Sequence, residues 1–170
     1  MPITSPSQNA FAAHFTEDEG EHPLTCRWHN AGLTLDVLAL NEEVLGFTNI
    51  WYESALKHAF TVTLPGGQSI RVITAPFFLG TKMEAFRGRG KMDFQASHDL
   101  EDFVAVIQGR EMLLQEIAAS PQSLRQYIAD AAKMLLAESR FIDVLPGFVL
   151  DDERVPLIEG RLASIAANIL

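Results

Sequence analysis

A lysine in the middle of an apolar helical face has the clearest chemical consequence of any residue in this sequence. The chain shows helical periodicity after Pro76, and Phe78 and Phe86 lie roughly 40° on either side of Lys82 at about 100° per residue. An ammonium group among apolar side chains is unfavourable unless an anion compensates it. We therefore expect Lys82 to meet a carboxylate of the chain or a phosphate of a ligand. The alternative is a lysine whose stem packs on the two phenylalanines while its charge reaches water.

The cationic character continues into a glycine-rich loop with the sequence RGRGK. Its charges are Arg87, Arg89 and Lys91, and its two glycines allow close backbone approach, so the loop could surround a phosphate. An exposed flexible connection is the alternative. Residues 71–91 hold five cations and one anion, although the whole chain has a net charge of −9. The net charge excludes general binding of duplex DNA, whereas the local basic patch favours one small polyanion or one RNA end.

Three aspartates are candidate anionic partners. Asp36 lies in a predicted apolar strand, where a buried carboxylate is costly, and it is either a metal ligand or the ion-pair partner of Arg27 or Arg71. Asp99 and Asp102 are three residues apart and share one side of a predicted helix. For Asp99, a favourable interaction with the helix dipole is an ordinary structural explanation.

The sequence lacks motifs that are typical of other reaction chemistries. The five histidines show no spacing typical of a zinc site, and no Gly-x-Ser-x-Gly elbow or Walker loop is present. The single cysteine, Cys26, excludes an intramolecular disulfide and fits a core position in a cytoplasmic protein. The sequence contains no run of about 18 apolar residues and no signal-peptide pattern, so we expect no membrane partner.

The elements that position these residues follow the order of an α+β protein. Alternating apolar residues flank an Asn-Ala-Gly turn and a Pro-Gly-Gly turn, which predicts two β-hairpins, and helical periodicity dominates after Pro76. Strands are predicted at 24–29, 33–39, 60–64 and 68–74, and a short helix at 52–58. We therefore predict a small, mostly antiparallel sheet of two hairpins and a C-terminal helical bundle. The predicted divisions are a flexible segment (1–23) and a single domain (24–170) with a sheet part (24–74) and a helical part (75–170).

The segment TKMEAFRGRGKMDFQASHDLEDFVAV, residues 81–106, resembles the C-terminal signature of a known family. That family comprises small bacterial nucleotidyltransferase-fold proteins related to the abortive-infection AbiEii-type toxins. In it, a lysine-bearing helix, an Arg/Gly loop and a Lys-Asp-Leu-Glu-Asp helix follow the catalytic sheet. The resemblance extends from residue 24 to the C-terminus through LTCRWHNAGLTLDVLALNEEVLGFTNIWY and RFIDVLPG.

The resemblance implies a partial nucleotidyltransferase fold and a set of site residues. The catalytic positions that it implies are Asp36, Lys82, Asp99 and Asp102, with Asp36 as one ligand of Mg²⁺. The positions implied to contact the phosphates of a nucleoside triphosphate are Lys82, Arg87, Arg89 and Lys91. The chain departs from the family at His98, where the family has lysine, and no Gly-Gly or Gly-Ser turn with an Asp-x-Asp strand occurs before residue 24.

Two functions are therefore expected from the sequence. The first is a truncated or degenerate nucleotidyltransferase with weak or no transfer of nucleoside monophosphate, requiring Mg²⁺ if active. The second is a non-enzymatic nucleotide-binding, protein-binding or assembly module that keeps the cleft of Lys82, Asp99 and Asp102. A missing strand would leave an exposed sheet edge, which the N-terminal segment, the second subunit of a homodimer or another partner is expected to cover.

Overall fold

Two β-hairpins precede a helical region, which confirms the predicted α+β class. The computed structural model describes residues 16–17, 27–36, 49–88, 90–149 and 151–167. The chain divides into two compact units, Met1–Thr48 and Asn49–Leu170. This boundary lies within the single domain predicted for residues 24–170. The hairpins consequently belong to different units and form two sheets instead of one.

The first unit contains a three-stranded antiparallel sheet in the order β1-β2-β3. Its strands are β1 (Thr16–Glu17), β2 (Arg27–Asn30) and β3 (Leu33–Asp36). Ala31 and Gly32 connect β2 to β3 with φ angles of 45° and 85°. Positive φ at both central residues matches the right-handed twist of paired strands, and this turn sets Arg27 directly opposite Asp36. Residues 24–26 and 37–39 of the predicted strands, with Cys26, lie outside the described residues.

The second unit begins with a short helix and an amphipathic hairpin. These elements are α1 (Tyr52–Lys57), β4 (Phe60–Thr63) and β5 (Ser69–Val72). The antiparallel register pairs Phe60 with Val72 and Val62 with Ile70, so these four apolar residues share one face of the hairpin. The opposite face holds Arg71, whose guanidinium donates to the carbonyl oxygens of Leu56 (2.6 Å) in the last turn of α1 and of Ala59 (3.2 Å) just beyond it.

Six further helices form the remainder of the second unit as described. They are α2 (Ala75–Arg87), α3 (His98–Gly109), α4 (Leu113–Ala118), α5 (Gln122–Ala137), α6 (Ser139–Val144) and α7 (Val155–Ala166), with 3-10 turns at Leu145–Phe148 and Asp152–Arg154. Apolar residues at helical spacing on these helices form the core, and those on α2 include Leu79, Met83 and Phe86, at most 1% exposed. Gly80 lets α5 approach α2, because a Cβ there would lie 2.8 Å from Leu124 Cδ1.

Arginine side chains also terminate two of these helices. Arg161 on α7 donates from Nη1 to the carbonyl oxygens of Ile107 (2.6 Å) and Gln108 (3.1 Å) at the end of α3. Arg125 on α5 donates in the same way to Ala118 O at the end of α4, at 3.1 Å. The last carbonyls of a helix lack intrahelical donors and carry partial negative charge, so a cation there is favourable. Within the described ranges, no helix has the length and apolar character needed to cross a membrane.

Candidate functional site

Lys82 lies where helices α2 and α3 pack, in contact with two carboxylates. Its ammonium nitrogen is 2.6 Å from Asp102 Oδ2 and 3.1 Å from Asp99 Oδ1. The same nitrogen is 5.5 Å from the centre of the Phe78 ring, while Phe86 on the other side is fully buried. We predicted that Lys82 lies within ion-pair reach of Asp36, Asp99 or Asp102, and its contacts with Asp99 and Asp102 confirm this prediction.

The start of α3 determines where these two carboxylates lie. Ser97 caps the helix by accepting a hydrogen bond from Leu100 N at 3.3 Å, which sets Asp99 in the first turn. The side chain of Asp99 is 11% exposed and that of Asp102 is 47% exposed, whereas that of Lys82 is 24% exposed. Burial lowers the pKa of the Lys82 ammonium, but the hydrogen bonds and charges of Asp102 and Asp99 outweigh this effect. The pKa of Lys82 is consequently raised above its ordinary value.

The described cations of the predicted phosphate loop differ in their surroundings. The guanidinium of Arg87 lies over the ring of Tyr127, 4.9 Å from its centre, and the Tyr127 hydroxyl donates to Glu84 Oε2 at 2.6 Å. Burial and this hydrogen bond raise the pKa of Tyr127 well above its ordinary value. Lys91 is exposed and has a φ of 47°, in the left-handed region. Arg89 lies outside the described residues.

Backbone amides in this loop bond to carbonyl oxygens of the chain itself. Gly90 N donates to Ala85 O at 3.0 Å and Met92 N to Phe86 O at 3.1 Å, which terminates α2. Asp93 Oδ1 accepts from the two amides of residues 95 and 96. A side chain at position 90 would clash, because a Cβ there would be 2.7 Å from Phe86 O. Gly90 therefore serves the helix end, and the amides of Gly90 and Met92 would have to give up these hydrogen bonds to bind a phosphate.

Asp36 forms an ion pair with Arg27 across the first hairpin. Arg27 Nε donates to Oδ1 at 2.7 Å and Nη2 to Oδ2 at 2.9 Å. The Arg27 hydrogen bonds hold the pKa of Asp36 below its ordinary value. Of the alternatives considered from the sequence, the structure thus shows the ion pair with Arg27. Among the described residues, no group of three or more His, Cys, Asp and Glu side chains could hold a metal ion, so Mg²⁺ binding by Asp36 stays a prediction.

An apolar groove in the second unit was not predicted from the sequence. This cavity of about 710 Å³ lies between one end of the β4–β5 hairpin and helices α2 and α3, and it continues to the α3–α4 connection. Its apolar lining includes Phe60, Val72, Ile73, Phe78, Val106 and Met112. Phe60 is 47% exposed and Met112 is 52% exposed, although both are large apolar residues. The one sequence signal for the groove was the apolar face of the second hairpin, for which the sequence suggested no partner.

A smaller cavity adjoins the apolar groove. It has a volume of about 350 Å³ and is lined by His58, Pro76 and Phe77, among others. Phe60, Arg110 and Glu116 line both cavities and so form their common border, which we call the ridge. On the ridge, Arg110 Nε lies 2.5 Å from Glu116 Oε2, and Nη2 lies 2.6 Å from Oε1.

Comparisons of the sequence with protein-family models and with curated proteins, and of the structure with solved structures, found no match. The relationship of residues 81–106 to the AbiEii-type nucleotidyltransferases thus stays a prediction from the sequence.

Proposed function

We propose that this protein is a non-enzymatic binding module that holds an amphipathic helix of a partner protein in the apolar groove. The observation that carries the proposal is the groove itself, which has about 710 Å³ of space beside the exposed side chains of Phe60 and Met112. Binding is favourable when a partner removes large apolar side chains of a concave surface from water. Small-molecule pockets have volumes in this range, so a partner helix would place some of its side chains, and not its backbone, in this space.

The surroundings of the Lys82 cleft favour this function over catalysis. A phosphate that approached Lys82 would also approach the carboxylates of Asp99 and Asp102, both within 3.1 Å of the ammonium. Repulsion between these anions would oppose binding in the absence of a metal ion. The same contacts join α2 to α3, which is a sufficient structural reason for an ammonium at this position. Nucleotidyl transfer rests on the family resemblance, and an assay with Mg²⁺ and α-labelled nucleoside triphosphates would test it directly.

A helix suits the apolar groove better than an extended segment does. The lining consists largely of side chains from α2, α3 and the connection to α4, while the hairpin contributes Phe60 and Val72 at its end. An added strand would need an exposed row of backbone donors and acceptors, which helical side chains do not offer. An amphipathic helix instead inserts side chains spaced three or four residues apart. A second copy of this chain is a weaker candidate because each copy carries a net charge of −9.

A peptide-binding experiment with a blocking variant tests the proposal. The probe is a fluorescent helical peptide of about four turns, with leucine at positions i, i+3, i+4 and i+7 and glutamine on the other face. Gly109 lines the groove, and a Cβ there would meet nothing within 4 Å, so Gly109→Leu should fill the groove without disturbing the fold. Gly160→Leu is the matched control, because Gly160 is also exposed, helical and free of contacts at Cβ.

The expected result is that the parent protein and Gly160→Leu bind the peptide equally. Gly109→Leu should weaken binding about tenfold or more, since the leucine side chain occupies the space that the peptide requires. Fluorescence anisotropy measures the dissociation constants of the three proteins, and thermal unfolding checks that the two variants remain folded. Absence of binding by the parent protein, or equal binding by Gly109→Leu, would refute the proposed function.

A further inference from the structure

Negative charges outnumber positive charges among the residues that line the apolar groove. Its charged lining residues are Arg110, Glu111 and Glu116. Arg110 and Glu116 satisfy each other through two short hydrogen bonds of 2.5 and 2.6 Å. Glu111 is exposed, and within the described part of the chain no ion pair includes it. The charged residues that line the groove therefore sum to one negative charge, and Glu111 is the member without an ion pair to another described residue.

The ridge restricts how one ligand can fill both cavities. Because Phe60 and the Arg110–Glu116 pair line both cavities, a ligand that fills the groove and the smaller cavity must cross this pair. Arg110 is also fixed through its backbone, since its carbonyl oxygen accepts from Arg161 Nη1 at 3.3 Å. Two apolar side chains three or four residues apart on a helix could lie on either side of such a border.

We infer that the partner helix carries a lysine or arginine beside its apolar face, which meets the acidic border at Glu111. This inference rests on the proposed function and specifies the chemistry of the partner. An anionic group of the partner could pair with Arg110 only by displacing Glu116, and bidentate Arg–carboxylate pairs are among the stronger hydrogen-bonded contacts. A cation can instead approach Glu111 without breaking an existing contact. Charge complementarity of this kind favours the correct partner and accelerates association.

Three peptides with the same leucines and a different border residue test this inference. The residue that flanks the leucines is lysine, glutamine or glutamate. The lysine peptide should bind about two- to fivefold tighter than the glutamine peptide, as expected for an exposed ion pair, and the glutamate peptide should bind most weakly. The preference for lysine should decrease as salt is added, because salt screens exposed charges.

A matched pair of variants identifies the protein side of the contact. Glu111→Gln should abolish the preference for lysine over glutamine, whereas Glu153→Gln, which changes another exposed glutamate outside the groove, should leave it unchanged. If the three peptides bind the parent protein equally and Gly109→Leu weakens the binding of all three, the inference is overturned while the proposed function stands. Tightest binding of the glutamate peptide would also overturn it.

Two further outcomes separate the alternatives. If no peptide binds the parent protein, the proposed function itself fails, and the inference fails with it. If sedimentation shows a dimer that Gly109→Leu dissociates, the groove holds a second copy of the chain, and a cationic partner is refuted.

Discussion

Replacement of Lys82 by methionine should destabilise the protein, because Asp99 would keep its buried position without the ammonium group. Removal of one member of a buried ion pair costs about 3–5 kcal/mol, whereas exposed pairs contribute about 0.2–1 kcal/mol. The side chains of Lys82 and Asp99 are 24% and 11% exposed, so this pair lies between the two limits. We expect Lys82→Met to lower the free energy of unfolding by about 2 kcal/mol.

A double-mutant cycle should assign most of this effect to Asp99. The Lys82 nitrogen is closer to Asp102 (2.6 Å) than to Asp99 (3.1 Å), but the Asp102 side chain is 47% exposed and water screens its charge. We therefore expect a coupling energy of about 1–2 kcal/mol between Lys82→Met and Asp99→Asn, and less than about 1 kcal/mol between Lys82→Met and Asp102→Asn. The effect of the helix dipole on residue 99 cancels in the cycle.

Urea unfolding followed by circular dichroism measures these free energies, provided that the dependence on urea concentration is the same for all variants. Lys133→Met is the matched control. Lys133 Nζ lies 3.6 Å from Asp130 Oδ1 and both side chains are 56% exposed, so its loss should change stability by less than about 0.5 kcal/mol. The reasoning is refuted if Lys82→Met is as stable as the parent, or if Asp102 couples to Lys82 more strongly than Asp99 does.

Three other predictions follow from contacts outside this pair. Tyr127 has a raised pKa, so its protonated form stabilises the fold fully below about pH 10, the pKa of an unfolded tyrosine, and this contribution is lost as the pH rises further. Tyr127→Phe should therefore lose less stability than the parent between neutral and strongly alkaline pH, and an equal loss would contradict the role of the hydroxyl. Arg161→Leu should lower the free energy of unfolding by about 1–3 kcal/mol, because the carbonyls at the end of α3 lose a charged donor. Chemical denaturation measures this change, with Arg154→Leu as the control at an exposed site. Calorimetry should find weak Mg²⁺ binding without nucleotide, since Asp36 is held by Arg27; tight binding that Asp36→Asn abolishes would restore the metal-site hypothesis.

Local patterns in the sequence predicted the parts of the structure that depend on neighbouring residues. Helical periodicity identified Lys82 as a lysine on an apolar face, and the cost of burying it indicated an anionic partner, either a carboxylate of the chain or a phosphate of a ligand. The two turns were predicted from glycine positions, and Gly32 and Gly67 indeed have positive φ angles of 85° and 83°. The sequence offered either Arg27 or Arg71 as the ion-pair partner of Asp36. The register that the first turn imposes places Arg27 opposite, which periodicity alone could not specify.

The apolar groove and the hydrogen bonds of the described glycine-loop residues required tertiary information. Phe60, Val106 and Met112 are far apart in the sequence, and they line one cavity because the hairpin lies beside α2 and α3. The loop has the composition of a phosphate-binding segment, yet amides such as those of Gly90 and Met92 donate to carbonyls at the end of α2. Both functions of a glycine loop need the same residues, so composition cannot distinguish them.

The contacts of four described cations disfavour phosphate binding at their positions, which is consistent with the proposed use of the apolar groove. Arg71, Arg125 and Arg161 donate to carbonyl oxygens at or just beyond helix ends, and Lys82 pairs with two aspartates. A phosphate that bound any of these groups would replace a hydrogen bond within the protein, so the net gain in free energy would be small. A helix that enters the apolar groove displaces only water from side chains such as Met112, and its binding energy increases with the apolar area that it covers.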